Sequence, residues 1–205
     1  MKKTLLPFIL LLSFLSFSQT NDPYIQALIE QYSDSLELNC DVYIELDVEG
    51  IIIPPKTVNL RFENGEPQIS GQGIAMLPKK GIVNQFNDLL QEEFQAIYLS
   101  KRGTNRVYKL VSLDDTSDWI TADVEFDENL LLVTEATINT RKFGSFNVKN
   151  SYANGKYPDK TEINFNLKKF KLPLKFLGRS DPSFSKIEGQ EITEGKVYLS
   201  YTYLD

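Results

Sequence analysis

The stretch Leu36-Glu37-Leu38-Asn39-Cys40-Asp41-Val42-Tyr43-Ile44-Glu45-Leu46-Asp47-Val48-Glu49 alternates apolar and polar residues without a break. Successive side chains of an extended chain point to opposite faces. The alternation therefore predicts one long β-strand over 36–48, with an apolar face and a wet face. On that reading Cys40, set between Leu38 and Val42, is a small buried residue. It is the chain's single cysteine, so it makes no internal disulfide.

The flanking sequence extends the pattern. Pro54-Pro55 interrupts the chain, Val58, Leu60 and Phe62 resume the alternation, and Asn64-Gly65 is a hairpin signal. Before the strand, Asn21-Asp22-Pro23 offers a cap and a proline at a first helical position. Tyr24, Ile25, Leu28, Ile29 and Tyr32 follow at helical spacing. A second helical spacing runs from about Gly81 to Phe94 through Ile82, Val83, Phe86, Leu89 and Leu90. Further strands are expected over 95–101, 106–113, 119–127, 130–140, 143–152, 161–171 and 195–204, separated by turns such as Gly103-Thr104-Asn105 and Asn154-Gly155.

Short turns between alternating strands favour antiparallel pairing with one apolar face. The expected class is thus mainly β (α+β), a strongly curved antiparallel sheet or incomplete β-barrel covered by two or three short helices. Its apolar face is expected to collect Val42, Ile44, Leu46, Leu60, Phe62, Val124, Phe126, Leu132, Ile138, Phe146 and Phe165. Such a face either fills itself with side chains or holds an apolar ligand, and filling is the commoner outcome.

At the N-terminus, Lys2 and Lys3 precede an apolar run from Leu5 to Phe17, and Ser16 and Ser18 stand at the −3 and −1 positions of a cut before Gln19. Residues 1–18 read as a cleavable signal peptide, too short to span a bilayer, leaving 19–205 as a single exported domain with no transmembrane segment. Cys40 lies too far from the cut to be an acylated lipoprotein cysteine. Cleavage removes two lysines and no acid from 22 basic and 28 acidic residues, deepening the net charge from −6 to −8. That balance disfavours nucleic acid as a partner.

Catalytic chemistry is thinly represented. The chain has no histidine, which excludes Ser-His-acid and Cys-His arrangements and the commonest zinc ligand. Asp123, Glu125 and Asp127 share a strand face, but Ile120, Ala122, Val124 and Phe126 form the apolar one, so the acids read as a solvated stripe. Gly71-Gln72-Gly73 lacks the third glycine and the βαβ context of a nucleotide loop. No enzyme activity, cofactor or metal is expected.

The segment Lys168-Lys169-Phe170-Lys171-Leu172-Pro173-Leu174-Lys175-Phe176 concentrates positive charge in an acidic chain. It reads either as an edge strand guarded by lysines and a proline, or as a cationic rim of Lys169, Lys171 and Lys175 suited to a head group or an acidic partner.

The order of elements, the stretch Trp119–Asp127, then Leu130–Ile138, Phe143–Phe146 and the turn Tyr152-Ala153-Asn154-Gly155-Lys156-Tyr157-Pro158 resemble periplasmic proteins of the LolA/LolB type. The resemblance spans most of residues 22–178. It implies an incomplete β-barrel closed by helices whose cavity takes the acyl chain of a lipoprotein or lipid. It also implies a periplasmic setting, a place in outer-membrane lipoprotein sorting, and contact with another envelope protein.

Overall fold

The alternating stretch forms β1 (Asn39–Val48) in the computed structural model, which describes residues 22–33, 38–48, 54–63, 66–71, 89–90, 92–142, 144–153, 155–171 and 191–204. Cys40 and Val42 are fully buried, Ile44 and Val48 nearly so, while Tyr43, Glu45 and Asp47 face solvent, as the two-residue period requires. The Cys40 thiol is pushed up to about 11, first by burial and then by the Asp41 carboxylate. That suits a packing residue and not a nucleophile.

Nine more strands follow: β2 (Lys56–Glu63), β3 (Glu66–Gly71), β4 (Phe94–Arg102), β5 (Asn105–Ser112), β6 (Trp119–Asp127), β7 (Leu132–Thr140), β8 (Gly144–Ser151), β9 (Lys160–Lys171) and β10 (Glu191–Tyr203). They pair antiparallel in the order β3-β2-β1-β10-β9-β8-β7-β6-β5-β4. Every two strands consecutive in sequence are neighbours in the sheet except β3 and β4. The last strand returns beside the first, and the chain passes from β3 at one edge to β4 at the other. Because β3 and β4 remain edges, the sheet is curved but not closed into a barrel. Register shifts at Tyr98/Ser100, Trp119/Thr121, Glu125/Phe126 and Ile192/Glu194 supply local bends. Gly195, paired with Phe165, is required by close approach. A Cβ there would overlap the Phe165 ring and the Val48 side chain.

The helix α1 (Pro23–Ser33) starts as its sequence predicts. Asp22 Oδ1 accepts the backbone N–H groups of Tyr24 and Ile25 at 2.9 and 3.3 Å, and Pro23 occupies the first turn. Ile25 and Leu28 are fully buried against β5, β6 and β7. Two contacts pin the N-terminal end to the sheet. The Tyr108 hydroxyl donates to Asp22 Oδ2 at 2.8 Å, and the Arg106 guanidinium lies 3.5 Å from the Tyr24 ring centre while pairing with Glu128 at 2.7 Å.

Two expectations need correction. Phe94 begins β4 and does not end a helix. Glu92 is turned to accept the Trp119 indole N–H at 2.7 Å and the Ser117 hydroxyl at 2.5 Å, which draws the chain into the sheet. Of that predicted helix, Leu89 and Leu90 are helical and buried, and 81–88 lie outside the described residues. Ile120 is exposed, not inward, because the register shift between Trp119 and Thr121 sets it aside and buries Trp119. Leu132 is buried but pairs with Asp127, and Val133 joins Phe126 in the first cluster, because the shift opposite Glu125/Phe126 changes the parity of β7. The strand β9 lies between β10 and β8 up to Asn166, and beyond it the described pairs of Phe170 and Lys171 are with β10 alone, so the stretch with Lys169 and Lys171 runs past the end of β8. Their side chains and all of Lys175 lie outside the described residues, as do the predicted signal peptide and the Asn64-Gly65 turn. Glu63 pairs with Glu66 across that turn.

A tyrosine-lined candidate binding cavity

The buried side chains fall into two clusters. The first joins Ile25 and Leu28 of α1 and Leu89 and Leu90 to Tyr108, Leu110, Trp119, Ala122, Val124, Phe126, Val133 and Ala136 of β5–β7. The rings of Tyr108 and Phe126 stack with centres 5.7 Å apart. The second joins Leu38 to Cys40, Val42 and Ile44 of β1, Val58, Leu60 and Phe62 of β2, and Leu199 and Tyr201 of β10. Between them, under the C-terminal turn of α1 and over the inner face of β7–β10, lies a cavity of about 90 Å³.

The cavity wall is mixed. Val133, Ala136, Ile138, Val148, Ile163 and Leu38 give it apolar surface, and five tyrosines, Tyr32, Tyr152, Tyr157, Tyr201 and Tyr203, surround that surface together with Gln31, Asn150, Thr161, Pro158 and Lys156. The polar groups have a local cause. Beyond Glu135↔Lys149 no further β7–β8 pair extends toward Val133, so Val133 finds side-chain partners. Its N–H donates to the Tyr32 hydroxyl at 3.2 Å, and its carbonyl accepts the Tyr152 hydroxyl at 2.8 Å and Asn150 Nδ2 at 3.0 Å. Thr161 Oγ1 in turn donates to Asn150 Oδ1 at 2.8 Å, and the Tyr203 hydroxyl donates to the Pro158 carbonyl at 2.6 Å. Among the described residues no buried side-chain nitrogen or oxygen lacks a partner. Burial holds the phenols of Tyr32, Tyr152, Tyr201 and Tyr203 above their ordinary value, so they stay neutral.

The turn between β8 and β9 brings Tyr152, Lys156, Tyr157 and Pro158 to the cavity. Gly155 has φ +103°, a conformation that favours glycine. Asp159 closes the turn, its N–H donating to the Ser151 carbonyl at 2.8 Å and its carboxylate accepting the Ala153 N–H. The motif that looked like a family signature is, physically, the device that carries two cavity tyrosines and a lysine.

Of the apolar residues expected on the face, Ile138 borders the cavity. Val42, Ile44, Leu60 and Phe62 are packed in the second cluster, with Leu46 against it, and Val124 and Phe126 in the first. Phe146 and Phe165 pair with one another, and Phe146 also pairs with Ile138. The face therefore exists, but most of it is filled. The sequence reading passed over the tyrosines, although Tyr152 and Tyr157 stand in the quoted turn and Tyr201 and Tyr203 share one strand parity. A rule that seeks only aliphatic and phenylalanine side chains misses a wall built of phenols. Among the described residues no group of three or more acidic or cysteine side chains is placed to hold a metal, and no helix is long and apolar enough to cross a membrane.

No family model and no curated protein matches the sequence. Solved structures similar to this chain include the LolA superfamily protein NE2245 from Nitrosomonas europaea and a Vibrio parahaemolyticus domain named for outer membrane lipoprotein sorting. Each is 8% identical with a TM-score of 0.49, covering 87% of this chain and 91% and 90% of theirs respectively.

Proposed function

We propose that this protein is a non-enzymatic binder of an apolar chain, the acyl end of a lipid or lipoprotein, which it takes up on the concave face of its sheet. The observation that carries the reading is the cavity between the two clusters, where apolar wall and neutral phenols meet without an unsatisfied polar group. A methylene withdrawn from water there contributes about 0.8 kcal/mol and needs no polar motif. At about 90 Å³ the cavity admits the end of a chain and not its whole length. It is below the roughly 150 Å³ that holds a benzene and the 300–1,000 Å³ of ordinary small-molecule sites. A longer chain would enter by widening the place where β7 and β8 already part.

The setting proposed is the periplasm, after removal of residues 1–18, with a role in outer-membrane lipoprotein sorting and with Lys169, Lys171 and Lys175 as contacts for an acidic envelope partner. N-terminal sequencing of exported material should begin at or near Gln19, and an intact Met1 would contradict the setting. The smallness of the cavity favours a second reading, an exported sheet with a packed core that serves as an interaction surface. Organic extraction of the purified chain followed by mass spectrometry separates the two. Stoichiometric lipid, lost when Ala136→Phe fills the cavity in a variant that still melts cooperatively, supports the binder. A lipid-free protein that takes up no added acyl chain supports the packed sheet.

A further inference from the structure

Resting on the apolar-chain reading, the head group of the ligand can be argued from the charges around the same cavity. Several of its polar atoms are already used. Tyr152 and Asn150 both donate to the Val133 carbonyl, Thr161 donates to Asn150, and Tyr203 donates to Pro158. A charged head drawn inside would lose its hydration among groups several of whose donors are already engaged, a costly exchange. The head must therefore stay at the lip while the chain enters.

Of the described residues that line the cavity, one alone carries a formal charge, Lys156. It is half-buried, it sits on the Gly155 turn, and it belongs to none of the ion pairs found among the described residues. Lys109, Lys149 and Lys196, on the solvent side of the sheet, and Lys101, near the end of the edge strand β4, are each matched by a glutamate or aspartate. The acid nearest in sequence, Asp159, is turned to the Ala153 N–H. A half-buried lysine with no carboxylate partner among the described residues, beside an apolar cavity, is a place where an anionic group replaces lost hydration with a charge-assisted contact.

We propose that the ligand is a single-chain carboxylate amphiphile of the fatty-acid class, its alkyl end in the cavity and its carboxylate paired with Lys156 at the lip. The cavity's size limits it to one chain, and the lone ammonium matches one negative charge. On a chain of net charge −6, that local cation is what makes an anionic head tolerable.

The test titrates the delipidated full chain with decanoate and with decanol by calorimetry, at low and at physiological salt. Decanoate should bind about tenfold more tightly than decanol, the scale of one charge-assisted contact, and the preference should shrink as salt rises. Lys156→Gln should bring the ratio close to one, and Lys156→Arg should restore most of it, with melting temperatures confirming that both variants fold. Equal binding of the two ligands by the parent chain, or a ratio unmoved by Lys156→Gln, overturns the head-group assignment and leaves the apolar site standing. Failure of both ligands to bind overturns the apolar-chain reading itself.

Discussion

The two halves of the inner face use the same alternating strands and end differently. Over β5–β7 the helix α1 lays Ile25 and Leu28 into the sheet, and Tyr108, Leu110, Ala122, Val124 and Phe126 are buried essentially completely. The cluster over β1, β2 and β10 draws no residue from α1. Where the helix ends, at Gln31 and Tyr32, the wall changes from aliphatic side chains to phenols and a cavity remains. The helix thus interlocks with the sheet over β5–β7, and the gap is left beside its C-terminal end, between the two packed clusters. Tyrosine suits the boundary because its ring packs against apolar surface while its hydroxyl meets the backbone of Val133.

The contrast is most exposed to a truncation in the filled half. Phe126→Ala should cost about 3–5 kcal/mol in urea unfolding, because a fully buried ring stacked on Tyr108 leaves a void that the helix-clamped neighbours cannot close. A cost under about 1 kcal/mol would show that this half relaxes as readily as the cavity and would remove the distinction.

Adding volume should separate the halves by sign. Ala122→Val pushes a branched side chain into a site with no exposure and should destabilise by about 1–3 kcal/mol. Val148→Leu extends into the cavity wall and should be neutral or stabilise by up to about 1 kcal/mol. Thermal melts of the two variants side by side decide the matter, and equal losses would mean that the cavity is as tightly specified as the core.

At the boundary, the tyrosines make an asymmetric pair. Tyr32→Phe deprives the Val133 N–H of its hydroxyl acceptor and should cost about 1–3 kcal/mol. Tyr152→Phe leaves the Val133 carbonyl still bonded to Asn150 and should cost about 0.5–1.5 kcal/mol. Equilibrium unfolding in which Tyr152→Phe is the worse would reverse the roles given to them. The same phenols set an alkaline limit. Burial raises the folded pKa of Tyr32, Tyr152, Tyr201 and Tyr203 above the unfolded value near 10, so the folded state retains protons that the unfolded chain releases. Their contribution is complete below about pH 10 and declines as pH rises beyond it. Melting temperatures followed from pH 8 upward should stay level and then fall, and the fall should soften in Tyr152→Phe.

The smallest effect belongs to the solvent face. Lys196→Gln removes a 3.7 Å pair with Glu162 in which both side chains are well exposed, 48% and 37%, and should change stability by less than about 0.5 kcal/mol. A larger loss in a chemical melt would mean that the outer ladder contributes to the fold as much as the cavity does.

The sequence by itself determined the strand content, the two faces of β1, β2 and β6, the capped start of α1 and the antiparallel class, because these follow from a two-residue period and from local capping chemistry. It could not determine which inner residues would border a cavity. Single-residue register shifts moved Ile120 out and put Val133 where alternation had placed Leu132, and a bulge is decided by strand partners far away in the chain. The cavity itself joins Tyr32, Tyr152 and Tyr201, which only the return of β10 beside β1 and the docking of α1 bring to one place. Periodicity tells a residue which way to face, and tertiary packing alone decides whether anything stands opposite it.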